Sequence, residues 1–177
     1  MFCGSSLGAR KSYLRAARRT GQAIAERGLG LVYGGAASGL MGELADAALA
    51  HGADVVGVLP QALIEREIAH RGLTELRVVD SMHQRKAEMA ELADAFMVLP
   101  GGLGTLDELF EIWTWAQLEL HRKPVGLLDV DGYFEPLAIM IHRMVDEGFV
   151  AREQATRVFV DPDPAAMLAH LLGSPEG

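Results

Sequence analysis

The residues best placed to do chemistry are Glu108, Arg85 and the glycines just ahead of Glu108 in Leu99-Pro100-Gly101-Gly102-Leu103-Gly104-Thr105-Leu106-Asp107-Glu108. Glycines expose backbone N–H groups to an anion, and the first turn of a following helix adds unpaired donors and the positive end of its dipole. Three glycines within four positions exceed the one that a strand-to-helix turn needs, which points to a phosphate cradle. Glu108 falls one turn inside the helix, where a carboxylate can serve as acid or base toward whatever the phosphate carries. Thr105-x-x-Glu108 also matches a capping box, in which hydroxyl and carboxylate only satisfy the first N–H groups of the helix. Both readings stand at this level. Arg85 shares a helical face with Met82 and Met89, so it either turns inward or pairs with Glu88 on the surface.

The elements that must position these groups follow from periodicity. Met1-Phe2-Cys3 is expected to be the tail of a longer strand running into the small-residue loop Gly4-Ser5-Ser6. An amphipathic helix is predicted over residues 11–27, a strand over 29–33, and a second glycine loop, Gly34-Gly35 to Gly42, opening a helix that ends near His51. Residues 54–59 form an apolar strand buried on both faces. Residues 61–72 read as a short helix and a mobile loop, and 76–79 as a strand. A capped helix starts at Ser81, and the strand 95–99 leads into the loop. Then come a helix over 106–120, a strand over 124–128, a helix over 133–147, a strand over 157–160 and a helix over 164–172. Strands alternating with helices predict a single α/β domain over 1–177, Rossmann-like and doubly wound around a mostly parallel sheet. Its glycine loops would meet at the carboxyl edge. The helix over 106–120 is apolar on two sides, with Trp113 and Trp115 widening the stripe, and this predicts a homodimer.

With 177 residues, half of them apolar, the chain has ample material for a core. A net charge of −8 argues against general nucleic-acid binding. The single Cys3 excludes an internal disulfide and reads as a small buried residue in preference to a reactive thiol. There is no membrane-length apolar run and no signal peptide, which makes the cytoplasm the expected location. The six histidines show no ligand spacing, so neither metal nor cofactor is expected. G-x-x-x-x-G-K-[ST], G-x-G-x-x-G at a strand-to-helix junction and G-x-S-x-G are all missing, which disfavours triphosphate hydrolysis, ordinary dinucleotide binding and serine hydrolysis.

Phe2-Cys3-Gly4-Ser5-Ser6, Tyr33-Gly34-Gly35 with Gly39-Leu40-Met41-Gly42, Met82-His83-Gln84-Arg85-Lys86 and Pro100-Gly101-Gly102-x-Gly104-Thr105-x-x-Glu108 together resemble the LONELY GUY family. Its members are cytokinin riboside 5′-monophosphate phosphoribohydrolases, often labelled lysine decarboxylases. The resemblance implies hydrolysis of the N-glycosidic bond of a nucleoside 5′-monophosphate, a cytokinin ribotide or AMP, to free base and ribose 5-phosphate. It implies Arg85 and Glu108 as the catalytic pair and Gly101, Gly102, Gly104 and Thr105, after Pro100, as the cradle. Lys86 is then a second cation, and Gly4, Ser5, Ser6, Gly34, Gly35 and Met82 face the same crevice. It also implies a dimer or larger assembly. Ala36 and Gln84 stand where many members carry glycine and glutamate, departures that bear on which base is accepted. A non-catalytic nucleotide carrier or sensor on the same fold is the alternative, and a lysine-dependent decarboxylase has only Lys86 near the site.

Overall fold

The computed structural model describes residues 1–64 and 69–173. In chain order the elements are α1 (Lys11–Glu26), β1 (Leu31–Tyr33), α2 (Gly39–Ala50), β2 (Val55–Pro60), β3 (Glu75–Val79), α3 (Met82–Leu92), β4 (Phe96–Val98), α4 (Leu103–Gln117), β5 (Val125–Leu128), α5 (Glu135–Asp146), α6 (Arg152–Ala155), β6 (Val158–Asp161) and α7 (Pro164–Leu172). The sequence prediction of an α/β fold with a parallel sheet is met. Strands β1, β2 and β3 pair in parallel in that order, as do β4, β5 and β6.

The N-terminal segment joins the two halves. The Met1 amino group donates to the Val32 carbonyl at 2.8 Å on one side. On the other, Phe2 N–H donates to Met97 O at 3.0 Å and Phe2 O accepts from Leu99 N–H at 2.9 Å, with Phe2 and Val98 bridged in parallel.

Side-chain alternation along these strands divides the core between the two sheet faces. Cys3, Met97 and Leu128 pack with Ala17 and Ile24 of α1, Leu44 of α2 and Met167 of α7. Their neighbours Phe2, Phe96, Val98 and Leu127 pack with Met89 of α3, Ile112 and Trp113 of α4 and Ile141 of α5. Arg85 and Glu108, on α3 and α4, therefore belong to one face. On the other face α1 and α2 approach closely at Gly21, where a Cβ would lie 2.4 Å from the Leu44 carbonyl.

Several boundaries differ from the sequence expectation. Helix α4 opens at Leu103 instead of Leu106, because Gly102 already supplies the extended N-cap backbone. The short helix α6 had no periodic signal. Gln61–Leu63 form a single 3-10 turn, and residues 65–68 of the expected loop lie outside the described residues. The tryptophans do not form an open face: Trp113 is 8% exposed with its indole N–H donating to Gln154 O at 3.1 Å, and half-buried Trp115 packs on the same core. The apolar side chains left open on α4 are Leu103 and Phe110. Cys3 is buried, and burial pushes its thiol up to about 12. No helix among the described residues is long and apolar enough to cross a membrane.

Candidate active site

Helix α3 is anchored at its start so that Arg85 enters the protein. Ser81 Oγ accepts from Gln84 N–H at 3.1 Å, while Gln84 Oε1 accepts from Asp80 N–H at 2.9 Å, a reciprocal cap. Gln84, one of the two departures from the family pattern, is engaged in this cap. One residue on, Arg85 is 4% exposed. Its Nε donates to Val58 O at 3.0 Å and one terminal nitrogen donates to Gly34 O at 2.9 Å, which fastens it to the carboxyl ends of β2 and β1. The surface pairing with Glu88 does not occur, since Glu88 meets Arg77 at 3.2 Å. Gly34 is glycine for a steric reason: a Cβ there would sit 2.0 Å from Arg85 Nη2. Met82 Sδ lies 3.8 Å from the remaining terminal nitrogen.

Glu108 approaches the same guanidinium from α4, with Oε1 3.9 Å from Arg85 Nη1, and is 9% exposed. Burial raises its carboxyl from 4.5 to about 7, with Arg85 pulling the other way without cancelling the effect. The capping box fails at this helix. Gly102 is the N-cap, no side chain caps the end, and Thr105 is the third helical residue. The carboxylate is thus available for chemistry.

The glycine loops meet at the carboxyl edge. Gly4 N–H donates to Pro100 O at 3.1 Å, and Gly4 O accepts from Leu40 N–H at 3.0 Å at the start of α2. At Gly39, with φ of +63°, a Cβ would strike the Ser5 carbonyl carbon at 2.2 Å, so this turn admits only glycine. At Gly101 a Cβ would lie 2.1 Å from Thr105 Oγ1, while the Gly102 and Gly104 positions face open space. Gly4, Ser5, Ser6, Pro100, Gly101 and Gly102 line one cleft of about 240 Å³ together with Tyr13 and Tyr133. Thr105 is buried beneath it.

Arg85 and Glu108 stand outside that cleft. Three residues of helix, about 4.5 Å along its axis, separate Thr105 from Glu108. An anion on the loop and a reacting carbon near Glu108 would be spaced on the scale of a ribose. Two residues take other partners. Lys86 Nζ lies 3.1 Å from Asp107 Oδ2 and 2.8 Å from Glu111 Oε2, an ion-paired position and not that of a free second cation. Gly35, with φ of +78°, packs on Leu59 and gives its carbonyl to His70 N–H at 3.0 Å. Sequence reasoning missed Tyr133, whose hydroxyl donates to Gly101 O. Its place just beyond β5, at the edge where such sheets gather ligands, was the available signal.

A family model described as "Possible lysine decarboxylase" matches residues 41–171. A cytokinin riboside 5′-monophosphate phosphoribohydrolase of Arabidopsis thaliana is 51% identical over 172 residues, 97% of this chain and 79% of that protein. One of Oryza sativa subsp. japonica is 49% identical over 168 residues, 95% of this chain and 69% of the rice protein. Among solved structures, the molybdenum cofactor carrier protein of Chlamydomonas reinhardtii superposes with a TM-score of 0.66 at 23% identity, covering 94% of this chain and 91% of that one. The molybdenum cofactor binding protein of Rippkaea orientalis gives 0.65 at 24%, covering 92% and 87%. At those identities the likeness speaks for the fold.

Proposed function

The chain belongs to the LONELY GUY family of phosphoribohydrolases, and from that premise we propose that it hydrolyses the N-glycosidic bond of a nucleoside 5′-monophosphate, a cytokinin ribotide or AMP. The observation that carries this reading is the buried Arg85–Glu108 pair, at 3.9 Å, one helical turn from an open glycine cradle. The 5′-phosphate binds the N–H groups of the loop at Gly101, Gly102, Gly104 and Thr105, with Gly4, Ser5 and Ser6 opposite. This brings C1′ toward Glu108. As the C1′–N bond breaks, the electron pair leaves with the base, which takes up a proton, and positive charge develops on the sugar. The Glu108 carboxylate stabilises that charge, accepts a proton from the water whose oxygen bonds to C1′, and gives that proton up to the departing base, which restores the carboxylate. Arg85, held by two carbonyls, fixes the carboxylate and offers its free donors to the ribose. No resident cofactor takes part in this scheme.

A lysine-dependent decarboxylation receives no support from Lys86, whose ammonium is engaged by two carboxylates. The whole chain acts as one catalytic domain in the cytoplasm. Leu103 at 88% exposed, with Phe110 on the same face of α4, supports a homodimer, because open apolar surface costs on the order of 25 cal/mol per Å². Sedimentation at several dilutions checks this, and a monomer throughout would remove it. The activity is tested by incubating the protein with AMP and with an N6-isopentenyladenine ribotide. Free base and ribose 5-phosphate are the expected products. Binding of both nucleotides without release of base would favour a carrier.

A further inference from the structure

We propose that Tyr133 is a positioning residue that sets the phosphate cradle, an inference that rests on the hydrolase reading above. Its hydroxyl donates to the carbonyl of Gly101, the first glycine of the cradle. A peptide unit is planar and trans, so holding that carbonyl turns the Gly102 N–H the opposite way. That N–H has no acceptor among the described residues, and the Gly102 α-carbon faces open space. Two adjacent glycines are the most rotatable point of a loop. Gly101-Gly102 therefore needs a bond from outside the loop to keep its N–H groups pointed at an anion.

Tyr133 is suited to supply it because its own position is fixed from two elements. It follows β5 in a turn with left-handed backbone at Asp131 and Gly132. Its ring meets the edge of Tyr13 of α1, with centroids 5.7 Å apart at 80°. Ser12, also on α1, donates to Asp131 Oδ2 at 2.5 Å. The start of α1 and the turn after β5 thus hold the phenol over Gly101. Removing the hydroxyl leaves the ring and its packing in place and frees only the carbonyl.

Tyr133→Phe is the decisive variant, compared with the wild type by thermal unfolding, AMP kinetics and competitive inhibition by inorganic phosphate and by adenosine. The expected result is a five- to tenfold rise in the KM for AMP and in the inhibition constant of phosphate, about what one hydrogen bond is worth. The expected kcat stays within twofold, and adenosine, which lacks the phosphate, inhibits as before. An unchanged phosphate constant would overturn the proposal, as would an equal weakening of adenosine, which would mark a general loss of structure. If the wild type binds AMP and releases no base, the hydrolase reading fails, and displacement of bound AMP by inorganic phosphate, titrated calorimetrically in both proteins, still decides the role of Tyr133.

Discussion

Arg85 and Glu108 face each other across 3.9 Å in a nearly closed site, and the arginine is anchored by two of its donors, to the carbonyls of Val58 and Gly34. The carboxylate feels Arg85 first among the cations around it, then the Met1 amino group and Lys86, and has little solvent.

Replacing it by an isosteric amide isolates its charge. Glu108→Gln should lower turnover of a nucleoside monophosphate by roughly a hundredfold or more, equivalent to about 2.7 kcal/mol in the barrier. Nucleotide affinity should hold or improve, because a carboxylate near a bound phosphate repels it. Chromatography of released base gives the first quantity and calorimetric titration the second. Near-normal base release would remove Glu108 from the mechanism.

The pH dependence of turnover follows from the same group. Glu108 must be ionised to stabilise a cationic sugar and to accept a proton, and burial places its titration at about 7. Turnover should rise with pH through that value and fall about tenfold per unit well below it. A kcat profile flat between pH 5 and pH 8, on either side of the raised value, would contradict the assignment.

Stability carries the opposite sign. Folded Glu108 holds its proton to about pH 7, against 4.5 when exposed, so unfolding releases a proton in that window and wild-type stability falls as pH rises through it. Glu108→Gln does not titrate. Its advantage over wild type should be absent below the lower value, grow through the window and level off above it at on the order of 3 kcal/mol. Urea unfolding at pH 4 and at pH 8, outside the two values, measures this. A variant less stable than wild type at the higher pH would show that the buried carboxylate is not strained.

Gly34→Ala tests whether the placement of Arg85 matters apart from its presence. The new methyl would fall 2.0 Å from Arg85 Nη2 and push the guanidinium off the Gly34 carbonyl. Turnover should fall at least tenfold, while stability changes by about 1–2 kcal/mol because a flexible side-chain end can give way. Full activity in a folded Gly34→Ala protein would mean that Arg85 acts from another position.

Lys86→Met distinguishes a structural cation from a phosphate ligand. The lysine bridges Asp107 and Glu111 of α4. Its removal should cost about 1–2 kcal/mol of stability after allowing for solvent around Asp107. The affinity for inorganic phosphate should remain within twofold of wild type. A large loss of phosphate affinity with unchanged stability would return Lys86 to the cradle.

Local pattern alone was enough to order the strands and all the helices but α6, to mark the loops at Gly4, Gly34 and Gly101, and to set Glu108 one turn into a helix. Each of these depends on neighbours in the chain: apolar alternation for a strand, a 3.6-residue stripe for a helix, glycine where backbone must be bare. The partners of the side chains were another matter. Helical spacing offered Arg85 either Glu88 or the interior, and the choice was made by the carbonyls of Val58 and Gly34, 27 and 51 residues away in sequence. Thr105-x-x-Glu108 could be a cap until the tertiary turn placed the N-cap at Gly102, and Lys86 could be a free cation until α4 lay beside it. Tyr133 became part of the site only when α1 and the turn after β5 closed over Gly101. Period and propensity report what a residue's own element does, whereas ion pairs, burial and the raised carboxyl of Glu108 arise where elements distant in the chain pack together and exclude water.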